Sequence, residues 1–245
     1  MTTEPHVEPR IEVHPDAAAL ATAVAGELLS RLADAQAGGT LPHIALTGGT
    51  IAEDIHREIA RLSPDSDVDW SRVALWWGDE RFVAPDSPDR NAGQARAAFI
   101  DAVGVDRAHV HEMPSTADAA DVDAGAAAYE AELRAHGSGE FEIVMLGIGP
   151  DGHIASLFPG FPQLDADGIA VGVTGSPKPP PERVSLTFPA LRRARSVWFL
   201  VSGSGKAQAV AAALGGAELH DIPAAGVTGR EETIWFLDRE AASSL

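Results

Sequence analysis

The sequence predicts an α/β protein: a doubly wound, mainly parallel sheet covered by helices on both faces. Short apolar runs alternate with amphipathic segments along nearly the whole chain, and that alternation is what crossover connections between parallel strands require. Several of the runs end directly in glycine, as in LTGGT, GIGPDG and VSGSG, which marks the carboxyl ends of strands where such sheets bind ligands. The length of 245 residues is enough to bury a large core without covalent staples.

Residues 16 to 36 place Leu20, Val24, Leu28 and Leu32 four apart, the spacing of one buried helical stripe, with Asp16 available as a cap. After Gly38 and Gly39, HIALT (43 to 47) reads as a strand and IAEDIHREIARL (51 to 62) as a helix. RVALWW (72 to 77) is the next strand, followed by helices over NAGQARAAFIDAV (91 to 103) and DVDAGAAAYEAELRAH (121 to 136). FEIVML (141 to 146), GIAVGVT (168 to 174), RVSLTF (183 to 188) and SVWFLVS (196 to 202) read as strands. KAQAVAAAL (206 to 214) is a helix, and TIWFLD (233 to 238) closes the chain as a strand. The proline-rich SPKPPPER (176 to 183) is a stiff loop. The whole of 1 to 245 is expected to be one domain, with a smaller lobe from about 120 to 190.

Composition narrows the function. There is no cysteine, so disulfides, thiolate nucleophiles and cysteine-bound zinc are excluded, and a reducing compartment, the cytoplasm, is expected. A formal charge of -18 repels a phosphate backbone, so nucleic acid is not an expected partner. A small anion remains a suitable ligand if the few cations converge. The opening MTTEPHVEPRIEV lacks the basic and apolar regions of an export signal, and no apolar run is long enough to span a membrane.

The strand-end loops carry the candidate chemistry. In LTGGT, Gly48, Gly49 and Thr50 stand between strand and helix, where backbone N–H groups and the helix dipole favour a phosphate; an ordinary tight turn has the same look. WWGDERFV puts Asp79, Glu80 and Arg81 past the next strand. Arg81 has the planar fork to grip a phosphate and a carboxylate can orient a hydroxyl, although surface salt bridges produce similar clusters. In VSGSGKAQAV, Lys206 opens a helix after a glycine turn. Leu200 and Ala207 break the nucleotide P-loop pattern there, and a lysine reaching a phosphate competes with a solvated helix residue.

GIGPDGHIASLFPG (147 to 160) matches G-x-G-x-x-G, but Pro159 and Pro162 stop the helix that a dinucleotide turn needs. What remains is His153, suited to general-base work near neutral pH, with Asp151 close enough to orient it. Ser156 supports the local turn. His109 and His111 lack a spaced third metal ligand, and neither a G-x-S-x-G elbow nor H-E-x-x-H is present.

Taken together, LTGGT, WWGDERFV, RNAGQAR, VHEMP, GIGPDGHIASLFPG, KPPPERVSLTFPAL and GSGKA resemble the glucosamine-6-phosphate isomerase/6-phosphogluconolactonase superfamily, and its lactonase branch in particular. The resemblance implies a modified Rossmann-like fold and hydrolysis of 6-phospho-D-glucono-1,5-lactone to 6-phosphogluconate in the oxidative pentose phosphate pathway, without cofactor or metal. It also implies that His153 activates water with Asp151 in support. Arg81 and Lys206 then bind phosphate with the Gly48-Gly49-Thr50 turn, and Arg183 contacts the substrate or the oxyanion. Thr50-Ile51-Ala52 replace the family's usual Ser-Thr-Pro, which puts the hydroxyl contribution of that loop in question.

Two rivals share the resemblance. A glucosamine-6-phosphate deaminase is expected to continue DGHIA into Phe-Asn-Glu-Pro and to carry Asp-Glu-Tyr, whereas here Ser156-Leu157-Phe158-Pro159 and Asp79-Glu80-Arg81 stand. A non-enzymatic sugar-phosphate-binding regulator is expected to bring a DNA-binding module, for which the segment before LTGGT leaves no room.

Overall fold

The computed structural model describes residues 8 to 245; the beginning of MTTEPHVEPRIEV, on which the export expectation partly rests, lies outside the described residues. β1 (Arg10–His14) leads into α1 (Ala17–Ala37), β2 (His43–Leu46) into α2 (Thr50–Leu62), and β3 (Ala74–Trp77) is followed at once by β4 (Asp79–Arg81). A broken helical stretch comes next: α3 (Asn91–Ala95), a π-turn over Arg96–Ile100, and α4 (Asp101–Val103). The chain continues through α5 (Val122–His136), β5 (Ile143–Leu146), β6 (Ala170–Val173), β7 (Arg183–Leu186) and α6 (Phe188–Leu191). It ends with β8 (Ser196–Val201), α7 (Ala207–Leu214) and β9 (Glu232–Asp238).

Six strands form a sheet in the order β1-β9-β8-β5-β2-β3, with every neighbouring pair parallel. The interior strands are apolar on both faces because helices cover both: Ile143, Val144, Met145 and Leu146 are all buried, as are Val197 through Val201. The expected α1 stripe holds. Leu20, Val24, Leu28 and Leu32 are fully buried, each contributing about 1.5–3 kcal/mol over an exposed position, and Asp16 caps the helix by accepting from the Ala19 amide at 2.8 Å.

From β2 the chain passes outward to β3, whereas from β5 it passes the other way to β8 and β9. The gap beyond the carboxyl ends of β2 and β5 is therefore the switch point of the sheet, the place where loops diverge and leave a crevice.

A second sheet of three antiparallel strands, in the order β4-β7-β6, stands beside that crevice. Gly78 joins the two sheets: its amide donates to Leu46 O at 2.9 Å and its carbonyl accepts from Leu186 N at 2.8 Å. Two strands depart from the sequence reading. RIEVH, too charged to read as a strand, pairs along β9 at the sheet edge. Asp79–Arg81 is β4 rather than a loop, because its backbone pairs with β7 (Asp79 with Ser185, Arg81 with Arg183).

RVSLTF ends as a strand at Leu186, since Thr187 turns to cap α6. The small sheet does not coincide with the stretch from about 120 to 190: β4 precedes that stretch, and β5 within it belongs to the large sheet.

Candidate active site

The loop after β5 presents one imidazole to the crevice. His153 Nδ1 lies 2.5 Å from Asp151 Oδ1, and the ring rests against Phe158 with centroids 4.6 Å apart. The glycines of GIGPDG make room for this pair. A Cβ on Gly149 would sit 1.9 Å from His153 Nδ1 and 2.3 Å from Asp151 Oδ1, while Gly152 has φ +82 and is pressed against Ile222. The G-x-G-x-x-G spacing thus accommodates a histidine rather than a pyrophosphate.

Burial opposes ionisation of Asp151, but its hydrogen bond to His153 and the attraction between the two outweigh that and hold the carboxyl at about 2. An ionised Asp151 accepts from Nδ1–H, which leaves Nε2 as the basic nitrogen.

Two further strand-end turns face His153. After β2, Gly49 (φ +99) opens α2 without a side-chain cap, leaving first-turn N–H groups for a ligand. Gly48 is required by close packing, since a Cβ there would meet Asn91 Oδ1 at 1.9 Å. After β8, the Gly203 amide donates to both Asp238 carboxylate oxygens at 3.1 and 3.0 Å. That turn is consumed in holding itself, so Lys206 is what it offers the crevice. Burial, reinforced by Lys178, lowers the Lys206 pKa, with Asp151 acting in the opposite direction.

The small sheet supplies the facing wall. Asp79 is buried and its Oδ2 accepts from Ser156 Oγ at 2.7 Å, so Ser156 ties the β5 turn to the wall. Glu80 is buried too, and its carboxylate accepts the amides of Arg81, Asn91 and Ala92, each at 2.8 Å. Burial raises the Glu80 pKa against the pull of those donors and Arg90. It is an internal cap for α3 and not a member of an exposed charge cluster. Arg81 donates from Nη1 to the Asp89 carbonyl while its Nε has no partner among the described residues. Asn91 donates from Nδ2 to Asp79 O at 2.9 Å.

These pieces enclose a cleft of about 400 Å³. Gly48, Gly49, Thr50, Asp79, Arg81, His153, Arg183 and Lys206, singled out in the sequence, all line it, and Asp151 stands behind His153. Arg183 is placed differently from a free substrate-binding group. Its Nε donates to Pro180 O at 3.1 Å, and its Nη2 to Lys178 O at 3.1 Å and Pro179 O at 3.2 Å.

Sequence reasoning missed Asn91 and Lys178, which also line the cleft. A compositional signal was there for the second: the chain contains only two lysines, Lys178 and Lys206, and both face this space. His111 belongs elsewhere. It stacks on Trp76 at 3.9 Å and bonds Glu132 at 2.8 Å. A second cavity of about 310 Å³ opens at the opposite end of the sheet around His43, Phe141 and Arg193, and it contains none of the residues singled out in the sequence. Among the described residues no helix is long and apolar enough to cross a membrane.

Comparison with known proteins identifies the family. The family model for glucosamine-6-phosphate isomerases/6-phosphogluconolactonase matches residues 15–235. The 6-phosphogluconolactonase of Streptomyces coelicolor is 44% identical, covering 97% of this chain and 95% of its own. That of Mycobacterium tuberculosis is 43% identical, covering 96% and 98%. The crystal structure of 6-phosphogluconolactonase from Thermotoga maritima superimposes with a TM-score of 0.84 at 25% identity, over 94% of this chain and 100% of that one. The chain belongs to the glucosamine-6-phosphate isomerase/6-phosphogluconolactonase family.

Proposed function

We propose that the chain hydrolyses 6-phospho-D-glucono-1,5-lactone to 6-phosphogluconate, the second step of the oxidative pentose phosphate pathway. The observation that carries this reading is the His153–Asp151 pair facing a cleft whose other walls hold Arg81 and Lys206. The relatives' names support the same chemistry. The site takes a small phosphosugar lactone and not nucleic acid, in keeping with the charge of -18; the compartment we assign is the cytoplasm.

A lactone carbonyl is already activated, so no covalent nucleophile is needed. His153 Nε2 takes a proton from water as the oxygen attacks C1, and Asp151 holds the imidazole by Nδ1 and stabilises the imidazolium that forms. The tetrahedral intermediate collapses with cleavage of the C1–O5 bond, and the leaving alkoxide receives the proton from His153. Water is consumed and the carboxylic acid ionises.

Arg81, Lys206 and the Gly48-Gly49-Thr50 turn bind the phosphate, which places the ring carbonyl toward His153. Asp79, held by Ser156, accepts a substrate hydroxyl. Parallel assays of acid release from 6-phosphogluconolactone and ammonia release from glucosamine 6-phosphate test the reading. Acid without ammonia is expected, and ammonia without acid would replace the lactonase by a deaminase.

A further inference from the structure

The segment between β6 and β7 is a strap whose backbone is tied down at one point. The Arg183 guanidinium, itself buried, collects three consecutive carbonyls, those of Lys178, Pro179 and Pro180. Ser176 Oγ closes the same turn from the other side, donating to Lys178 O at 3.0 Å and accepting from Lys178 N at 3.3 Å. Ser176 N donates to Pro181 O at 2.9 Å, which seals the loop at its base.

Three of these bonds meet at the backbone of Lys178, the residue that carries the strap's only amine, and the others hold the residues on its C-terminal side. Lys178 is exposed at the rim and lines the cleft together with Lys206, the one other lysine in the chain. With Nε and Nη2 committed to the strap, Arg183 retains Nη1, which lies 4.0 Å from Asp79 Oδ2.

We propose that Lys178 is a second phosphate-binding amine of the cleft and that Arg183 is its positioning residue, acting through the backbone of the 176 to 183 strap. The inference rests on the reading of the cleft as a phosphosugar site. A flexible lysine on an untethered loop loses much of its binding energy to ordering. Three carbonyls bonded to a planar fork meet that cost in advance. Lysine at 183 keeps the charge but has a single terminal nitrogen, and it cannot hold three carbonyls in this arrangement.

Because the chain has only two lysines, amine labelling reads the site directly. The folded protein is acetylated under limiting reagent with and without inorganic phosphate, and Lys178 and Lys206 are quantified by mass spectrometry. Phosphate is expected to protect both. Protection of Lys206 alone overturns the inference and leaves the phosphosugar reading standing; protection of neither overturns both.

Kinetics separate the two roles. Lys178→Ala, on an exposed tip, is expected to raise KM for 6-phosphogluconolactone by about tenfold to a hundredfold, a far larger change than in kcat. Arg183→Lys is expected to reproduce that phenotype, and the double variant to be no worse than either single one. An Arg183→Lys enzyme that keeps its KM would remove Arg183 from the positioning role, and effects that add in the double variant would assign it a contact independent of Lys178.

Discussion

The strand-end turns on one side of the cleft and the antiparallel wall on the other are built from different materials. The turns after β2, β5 and β8 consist of glycine and a few polar residues, each set by its own strand and helix, and they contribute N–H groups, His153 and Lys206. The wall consists of charged residues whose places depend on partners far away in sequence. Asp79 meets Ser156 and Arg183, and Glu80 meets the start of α3. In the turns a side chain can be removed without disturbing the frame. In the wall Asp79 and Arg183 both line the cleft and hold the structure, while Glu80 only holds it.

The largest effect expected tests the turns. His153→Ala removes the base and should lower kcat by about 10²–10⁴-fold while the protein still folds, because the ring's partners are Asp151 and Phe158 of its own loop. Near-normal turnover in that variant would break the mechanism.

Lys206 and Arg81 set turn against wall. Either change to alanine should weaken binding of the phosphorylated lactone by about 2–4 kcal/mol, or about 30-fold to 1,000-fold in KM. Only Arg81→Ala should also lower the thermal midpoint, since Arg81 braces the Asp89 carbonyl. Equal processing of unphosphorylated gluconolactone by the unaltered enzyme would mean that both residues are misassigned.

A smaller effect concerns the frame behind the β2 turn. His56 on α2 is buried against Phe99, and burial, aided by Arg57, lowers its pKa from 6.5 to about 4. The folded state therefore resists a proton that the unfolded chain accepts. The contribution of His56 to stability is fully present above pH 6.5 and declines as pH falls toward about 4. His56→Phe should flatten the loss of thermal midpoint over that window; an unchanged slope would mean another group controls it. Since His43 is lowered to about 4 by burial and by the neighbouring His111 and His109, part of the slope should persist.

Much of this molecule was legible in its sequence, for reasons that differ from element to element. The α1 stripe and the apolar runs of β3, β5 and β8 announce themselves because burial imposes a period or a run within a single segment. His153 was legible because prolines after GIGPDG rule out a cofactor helix. β4 was not legible. DER has no strand pattern of its own, and its conformation comes from pairing with β7, about a hundred residues later.

Lys178 was hidden for a related reason: nothing local says that a proline-rich loop folds back over the mouth of a distant sheet. The sequence by itself determined the alternation of strands and helices, the glycine turns at strand ends, and the chemical character of His153, Asp151 and Lys206, since these depend on near neighbours. Only the tertiary structure decided that Asp79, Glu80 and Arg183 are buried and which partners satisfy them, because a charge is stable inside a protein only when groups from elsewhere in the chain reach it.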